Sequence, residues 1–227
     1  YNVIKLNEYR RQVKVETRLH EIISNSNKKI KIGVIPGHFA TNHSHVNYYI
    51  DMTGIKTHHK IAKETAAELA KEYISSTSVD TIICLEGTEI IGAFLARELA
   101  KEGNSSLNGG NDICVITPET NANNQLIFRD NLLKDIYNKN ILLLISSVST
   151  GKTINRSVEC LKYYNGRLAG ISAIFSAVED YEGIRINSVF SPDDIPSYES
   201  VSFNKCEMCR NGQKIDAIIN SNGYSKI

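Results

Sequence analysis

Apolar and polar positions alternate along the chain in two periods, and the switches between them mark its elements. Lys31 to Ile35 alternates with period two and stops at Pro36-Gly37; Val46 to Met52 is a second strand candidate, aromatic and aliphatic. Between Thr57 and Ile74, the residues Ile61, Thr65, Leu69 and Tyr73 recur at helical spacing and predict an amphipathic helix. Val79 to Leu85 is short and β-rich, and Ile90 to Glu102 reads as a helix with Gly103 in the C-cap position. Ile113 to Thr117 predicts a strand and Pro118 to Gln125 a polar loop. Asn140 to Ile145 is wholly apolar after its first residue, the type of strand buried on both faces of a parallel sheet. A small-residue loop follows, then a helix over Lys152 to Tyr164 and a strand over Ala169 to Phe175. The first 29 residues, polar with scattered aliphatics such as Leu19, Ile22 and Ile23, predict one or two helices broken at Asn25-Ser26-Asn27.

Strands alternating with helices make βαβ units, so the fold class is α/β, a parallel sheet with helices on both faces. No internal repeat or low-complexity linker interrupts the pattern. Composition narrows the function classes. The 227 residues hold 26 basic and 25 acidic side chains, a net charge of +1 with no basic run, which argues against a nucleic-acid or membrane-surface binder. The longest aliphatic stretch, Ile141 to Ile145, is far shorter than the roughly 18 residues a membrane span needs. No signal-peptide pattern opens the sequence. Five cysteines, with Cys84, Cys114 and Cys160 inside apolar segments, predict reduced thiols and a cytoplasmic setting.

Ligands of such folds bind where strands lead through loops into helix N-termini. One such joint is Ile141-Leu-Leu-Leu-Ile-Ser-Ser-Val-Ser-Thr-Gly-Lys-Thr153. Small residues there let the backbone approach a phosphate; the helix dipole, the hydroxyls of Ser149, Thr150 and Thr153, and the Lys152 ammonium would hold it. A nucleotide-binding P-loop would need glycine at position 146, which is Ser146, and a downstream acid-ending strand that is missing. A monophosphate cradle or a ligand-free tight turn remains. The second joint, Cys84-Leu-Glu-Gly-Thr-Glu-Ile-Ile-Gly92, brings Glu86 and Glu89 to a loop whose Gly87 suits a positive φ or a close backbone approach. These acids would repel a phosphate unless a divalent cation bridges them, or else Thr88 and Glu89 simply cap the helix.

Five of the six histidines, His38, His43, His45, His58 and His59, fall within one short stretch. His43 and His45 would share a strand face and could bind a metal, but lining a dimer or substrate edge is the simpler reading. Cys206 and Cys209 supply two ligands of the four a structural zinc needs, so no metal ligand is assigned.

The order of these segments resembles the type I phosphoribosyltransferases, most of all the orotate enzymes. Strand 141–145 and turn Ser149-Thr-Gly-Lys-Thr153 resemble the family's phosphate motif. Gly37-His-Phe-Ala…His45…Tyr48-Tyr-Ile-Asp51 is similar to its Gly-x-Phe…Ser-x-x-Tyr-x-Asp segment. The Cys84–Gly92 joint matches its pyrophosphate loop in position, and Cys206-Glu-Met-Cys209…Gly212 its Cys-x-x-Cys-x-x-Gly ending. The resemblance implies an N-terminal segment with hood strands (1–55), an α/β core (56–200) and a C-terminal tail (201–227). It implies transfer of ribose 5-phosphate from phosphoribosyl pyrophosphate to a nucleobase in pyrimidine nucleotide synthesis, with Mg2+, by a homodimer. Ser149 to Thr153 would hold the 5′-phosphate, Ser146 and Ser147 would face the ribose, and Glu86, Gly87, Thr88 and Glu89 would contact pyrophosphate. Arg129 or Lys152 would stabilise the developing charge. Three departures stand out. Ser146-Ser147 replaces two acids, residues 118–128 hold no basic side chain where the family has a Lys- and Arg-rich loop, and Glu179-Asp180 stands where the family carries Asp-Arg. They leave open an enzyme with an unusual acceptor, or a non-catalytic module that binds phosphoribosyl pyrophosphate or a nucleotide as a signal.

Overall fold

A computed structural model describes residues 15–103, 106–121 and 125–227. A 3-10 turn at Glu16–Arg18 leads into β1 (His20–Ile23), which pairs with β2 (Lys31–Ala40), and β2 pairs with β3 (His45–Asp51). Helices α1 (Thr53–Thr57) and α2 (His59–Ala70) precede β4 (Thr81–Cys84), α3 (Glu89–Leu99) and β5 (Cys114–Ile116). A short hairpin, β6 (Glu119–Thr120) with β7 (Leu126–Ile127), leads on to β8 (Asn140–Val148), α4 (Lys152–Tyr163) and β9 (Arg167–Ser176). The remaining elements are β10 (Asp180–Tyr181), β11 (Ile184–Phe190), β12 (Ser200–Val201), α5 (Glu207–Arg210), β13 (Ala217–Asn220) and β14 (Gly223–Lys226).

The central sheet has the order β10-β11-β9-β8-β4-β5, parallel throughout except for β10 against β11. Its earliest strand, β4, lies between β5 and β8, so the winding direction reverses between β4 and β8, and a crevice opens at their carboxyl ends. The apolar run of β8 is split by the pleat. Leu142 and Leu144 pack with Leu69, Ile91 and Leu95 of α2 and α3, while Ile141, Leu143 and Ile145 pack with Ile154, Val158 and Leu161 of α4. All five β8 side chains are fully buried, each worth about 1.5–3 kcal/mol relative to exposure, which is why this strand tolerates no polar alternation.

The second sheet, β12-β3-β2-β13-β14 with β1 also on β2, forms a hood. Ile30, Ile32 and Val34 join its inner side to the α2–α3 face, and Phe39, Val46, Tyr49 and Ala217 make a smaller core of their own. The C-terminal residues thus enter the hood, where β13 pairs with β2.

Several boundaries differ from the periodicity. β2 runs on through Pro36-Gly37 to Ala40, because a register shift against β3 between Pro36 and Phe39 accommodates the residue that lacks an N–H. The helix expected between Thr57 and Ile74 is α2, which spans His59–Ala70; a separate short helix, α1, precedes it and is set off by the extended backbone of His58. α3 ends at Leu99 with Ala100 as its C-cap, so Gly103 does not cap it. The stretch 118–125 contains a hairpin strand, not loop alone, with 122–124 outside the described residues. Residues 20–23 are a strand, because Ile22 and its neighbours find a partner in β2; of the other residues expected in leading helices, 16–18 form a 3-10 turn and 1–14 lie outside the described residues. Among the described residues no helix is long and apolar enough to cross a membrane.

Candidate functional site

At the crevice between β4 and β8 lies a cavity of about 550 Å3, lined on one side by the loop after β8 and on the other by the loop after β4 and the hood. Ser146 and Ser147 still belong to β8, Ser147 opposite Phe175. Ser149 and Thr150 then lead to Gly151, which sits in the left-handed region at φ 72° and opens α4. Helix bonding starts from the Gly151 carbonyl, which accepts from the Asn155 N–H at 2.9 Å. The amides of the first turn have no helical acceptor and carry the positive end of the dipole. Ser147 through Thr153 all line the cavity. Arg156 lines it too, one turn beyond Lys152 on the same helix face; neither cation has a partner among the described residues.

The opposite loop is conformationally costly. Glu86 (φ 60°) and Gly87 (φ 80°) are successive left-handed residues, a state costing a non-glycine about 1–2 kcal/mol. The Glu86 carboxylate compensates by bonding across the switch point. Its Oε2 accepts from Ser146 Oγ at 2.8 Å and from the Ser147 N–H at 3.3 Å. Its carbonyl accepts from Lys56 Nζ at 3.1 Å, and the same ammonium donates to the Ser221 carbonyl at 2.5 Å. Burial pushes the Glu86 carboxyl pKa up, opposed by the Ser146 and Ser147 bonds and the Lys56 charge. Burial likewise lowers Lys56, opposed by Glu86, Glu89 and Asp51. Thr88 is buried and its hydroxyl donates to the Leu85 and Leu144 carbonyls, so it ties the loop to β8 and makes no side-chain cap for α3. Glu89 is exposed on the cavity side, where Oε1 accepts from Thr117 Oγ1 at 3.2 Å.

Of the residues expected at the site, Ser147, Ser149, Thr150, Gly151, Lys152, Thr153, Glu86, Gly87 and Glu89 line one cavity. Ser146 and Thr88 are buried behind it. Arg129 does not line it. Its guanidinium is exposed and gripped by Glu119, Nε to Oε1 at 2.8 Å and Nη2 to Oε2 at 2.5 Å, beside the β6–β7 hairpin. Asp180 is also outside the lining, in β10, where its carboxylate accepts from the Gly183 N–H of the following turn. Lys56 and Arg156 were not legible as site residues. Arg156 had only its four-residue spacing from Lys152 as a signal, and Lys56 had none. Tyr48 and Tyr49 of the hood strand β3, Tyr198 just before β12, and Phe175 of β9 add aromatic side chains to the cavity lining. Of the histidines, His43 reaches the cavity and His58 and His59 are exposed, while His38 and His45 are buried beside Cys206 and Cys209.

No family model matches the sequence, and no curated protein does. Solved structures similar to this chain include orotate phosphoribosyltransferase of Mycobacterium tuberculosis H37Rv in complex with inorganic phosphate, with 16% identity over 66% of this chain and 80% of that one and a TM-score of 0.47. Adenine phosphoribosyltransferase of Thermoanaerobacter pseudethanolicus has 17% identity over 79% of this chain and 99% of that one, with a TM-score of 0.47. UMP synthase of Leishmania donovani has 16% identity over 74% of this chain and 33% of that one, also at 0.47.

Proposed function

We propose that the cavity binds phosphoribosyl pyrophosphate and that the protein transfers its ribose 5-phosphate to a nucleobase. The observation that carries this reading is the left-handed Gly151 turn at the start of α4, flanked by Lys152 and Arg156, which have no partner among the described residues, and facing a carboxylate lodged at Ser146–Ser147. The turn and the α4 amides hold the 5′-phosphate, with Ser149, Thr150 and Thr153 as hydroxyl donors. Two neutral serines are weak acceptors for a ribose diol, since charge-assisted hydrogen bonds are roughly twice as strong as neutral ones. Glu86 supplies the missing acid from the loop after β4, with Oε2 anchored to Ser146 and Ser147.

Phosphoribosyl transfer breaks the bond from ribose C1 to pyrophosphate through an oxocarbenium-like state while a ring nitrogen of the base bonds to C1. Lys152 and Arg156 neutralise phosphate charge, and the aromatic hood supplies flat apolar surface for a planar base. The Glu86 and Glu89 carboxylates flank the cavity, a donor set of hard oxygens that suits Mg2+ sharing its shell with ligand phosphates and water. Bound there, Mg2+ would neutralise the leaving pyrophosphate. Orotate is the nearest acceptor by the sequence resemblance, and a homodimer the expected assembly.

A second reading, a module that binds the same ligand as a signal, is favoured by one feature. Among the described residues the hairpin side of the cavity presents no free cation for the leaving group, because Arg129 is held by Glu119. Calorimetric titration with phosphoribosyl pyrophosphate, with and without Mg2+, followed by a turnover screen over orotate and other bases, tests both. Magnesium-dependent micromolar binding with turnover supports the transferase, and binding without turnover for any base supports the module. No binding under either condition refutes both.

A further inference from the structure

We infer that His38, His45, Cys206 and Cys209 form a structural zinc site that staples the C-terminal segment to the hood. The site is separate from the cavity and does not depend on the transferase reading. The ligand atoms of the four residues lie within 4.8 Å of one another. His38 Nε2 is 3.0 Å from His45 Nδ1 and 3.5 Å from Cys206 Sγ, and Cys209 Sγ is 3.6 Å from His38 Nε2 and 3.3 Å from His45 Nδ1. A tetrahedron with Zn–N of about 2.0 Å and Zn–S of about 2.3 Å has edges of roughly 3.3–3.8 Å, so these spacings already have the size of a zinc shell.

The backbone explains why the four meet. Ala40 pairs with His45 across β2–β3, and His38, two residues before Ala40, lies on the same strand face. Cys206 and Cys209 bracket the first turn of α5, and their x-x spacing matches a zinc-knuckle half-site. The orientation of His38 also fits. Its Nδ1 lies 2.9 Å from the Gln213 carbonyl, a contact that requires the proton on Nδ1 and leaves the Nε2 lone pair for a metal. The pair His38–His45 is buried, at 0% and 8% exposure, together with Cys206 at 1%. Zn2+ with two thiolates and two neutral imidazoles makes a neutral complex, the form such a buried position accepts. A Cys2His2 tetrahedral set selects zinc over hard cations that prefer oxygen.

The consequence is reach. The His38 carbonyl accepts from the Asp216 N–H, β13 then pairs with β2 at Ala217 and Ile218, and the chain continues to Asn220 and Ser221, which line the cavity. A metal at this site therefore fixes one wall of the cavity from outside it.

The test starts with the unmodified full chain, purified without chelator under reducing conditions and analysed by elemental and native mass spectrometry. One zinc ion per chain is expected, retained through dialysis, with Cys209 shielded from alkylation until a chelator is added. Cobalt exchanged into the same protein should show thiolate charge-transfer bands and the intense d–d bands of tetrahedral cobalt. Joint Cys206→Ser and Cys209→Ser substitution should remove the metal, and Cys114→Ser should not. Only trace metal after reconstitution with zinc, a Cys206–Cys209 disulfide in the isolated protein, or an octahedral cobalt spectrum would overturn the assignment. The cobalt spectrum is read on the unmodified protein, so it decides the matter even if the double variant fails to fold.

Discussion

Gly151→Ala isolates the phosphate turn from everything around it. Gly151 is left-handed at φ 72°, and no atom lies within 4 Å of where an added Cβ would stand, so the methyl group meets no steric conflict. The cost is confined to the backbone, about 1–2 kcal/mol for an L-residue in this region. Ser149 and Thr150 lie in a surface loop and can relax without disturbing β8 or α4, so the global fold keeps its stability. The penalty falls on the conformation that grips the ligand, and 1–2 kcal/mol corresponds to roughly a 5- to 30-fold loss of affinity. Gly151→Asn should recover most of that loss, because Asn tolerates left-handed backbone. Calorimetric titration with phosphoribosyl pyrophosphate and Mg2+ on the three proteins, beside denaturant unfolding, reads both quantities. If the Ala variant titrates like the parent, or if Ala and Asn lose affinity equally, the turn does not hold the phosphate.

Three further outcomes follow from the same geometry. Lys152→Ala and Arg156→Ala should each weaken binding by about tenfold or more, in line with roughly 1.5–3 kcal/mol for a hydrogen bond to a charged group. The effect should shrink with added salt, and Arg129→Ala should leave binding unchanged because Glu119 already holds that guanidinium; titrations at two ionic strengths check this. For Glu86 the sign runs toward acid: a folded pKa above the unfolded value means the folded chain holds the proton more tightly, so stability falls as pH rises from the ordinary carboxylate range through the raised pKa. Glu86→Gln should flatten that slope and at least preserve the unfolding midpoint at neutral pH while weakening ligand binding; a steeper slope in the variant would contradict the assigned burial. Gly92→Ala would place Cβ 2.2 Å from Cys84 Sγ beneath the Glu86 loop and should cost about 1–3 kcal/mol in denaturant unfolding, whereas Gly103→Ala, with nothing within 4 Å, should be near neutral.

The sequence by itself determined strands β4, β5, β8 and β9 of the central sheet and one half of the site. The run Ile141–Ile145 could only be a doubly buried strand, and the small residues ending in Gly151-Lys152 could only be a tight entry to a helix, because both signals are local in the chain. Central-sheet strand β11 and hood strands β13 and β14 carried no such local signal, and β2 was cut short at Pro36 because a bulge that rescues a proline depends on its partner strand. Tertiary structure alone decided the rest. Glu86 meets Ser146 across 60 positions, Lys56 meets Ser221 across 165, and His38 meets Cys206 across 168. Such meetings are set by the order of strands in each sheet, and strand order depends on which faces bury each other. Periodicity records that a face is apolar; only packing determines what it lies against, and therefore which arginine reaches the cavity and which is tied up on the surface.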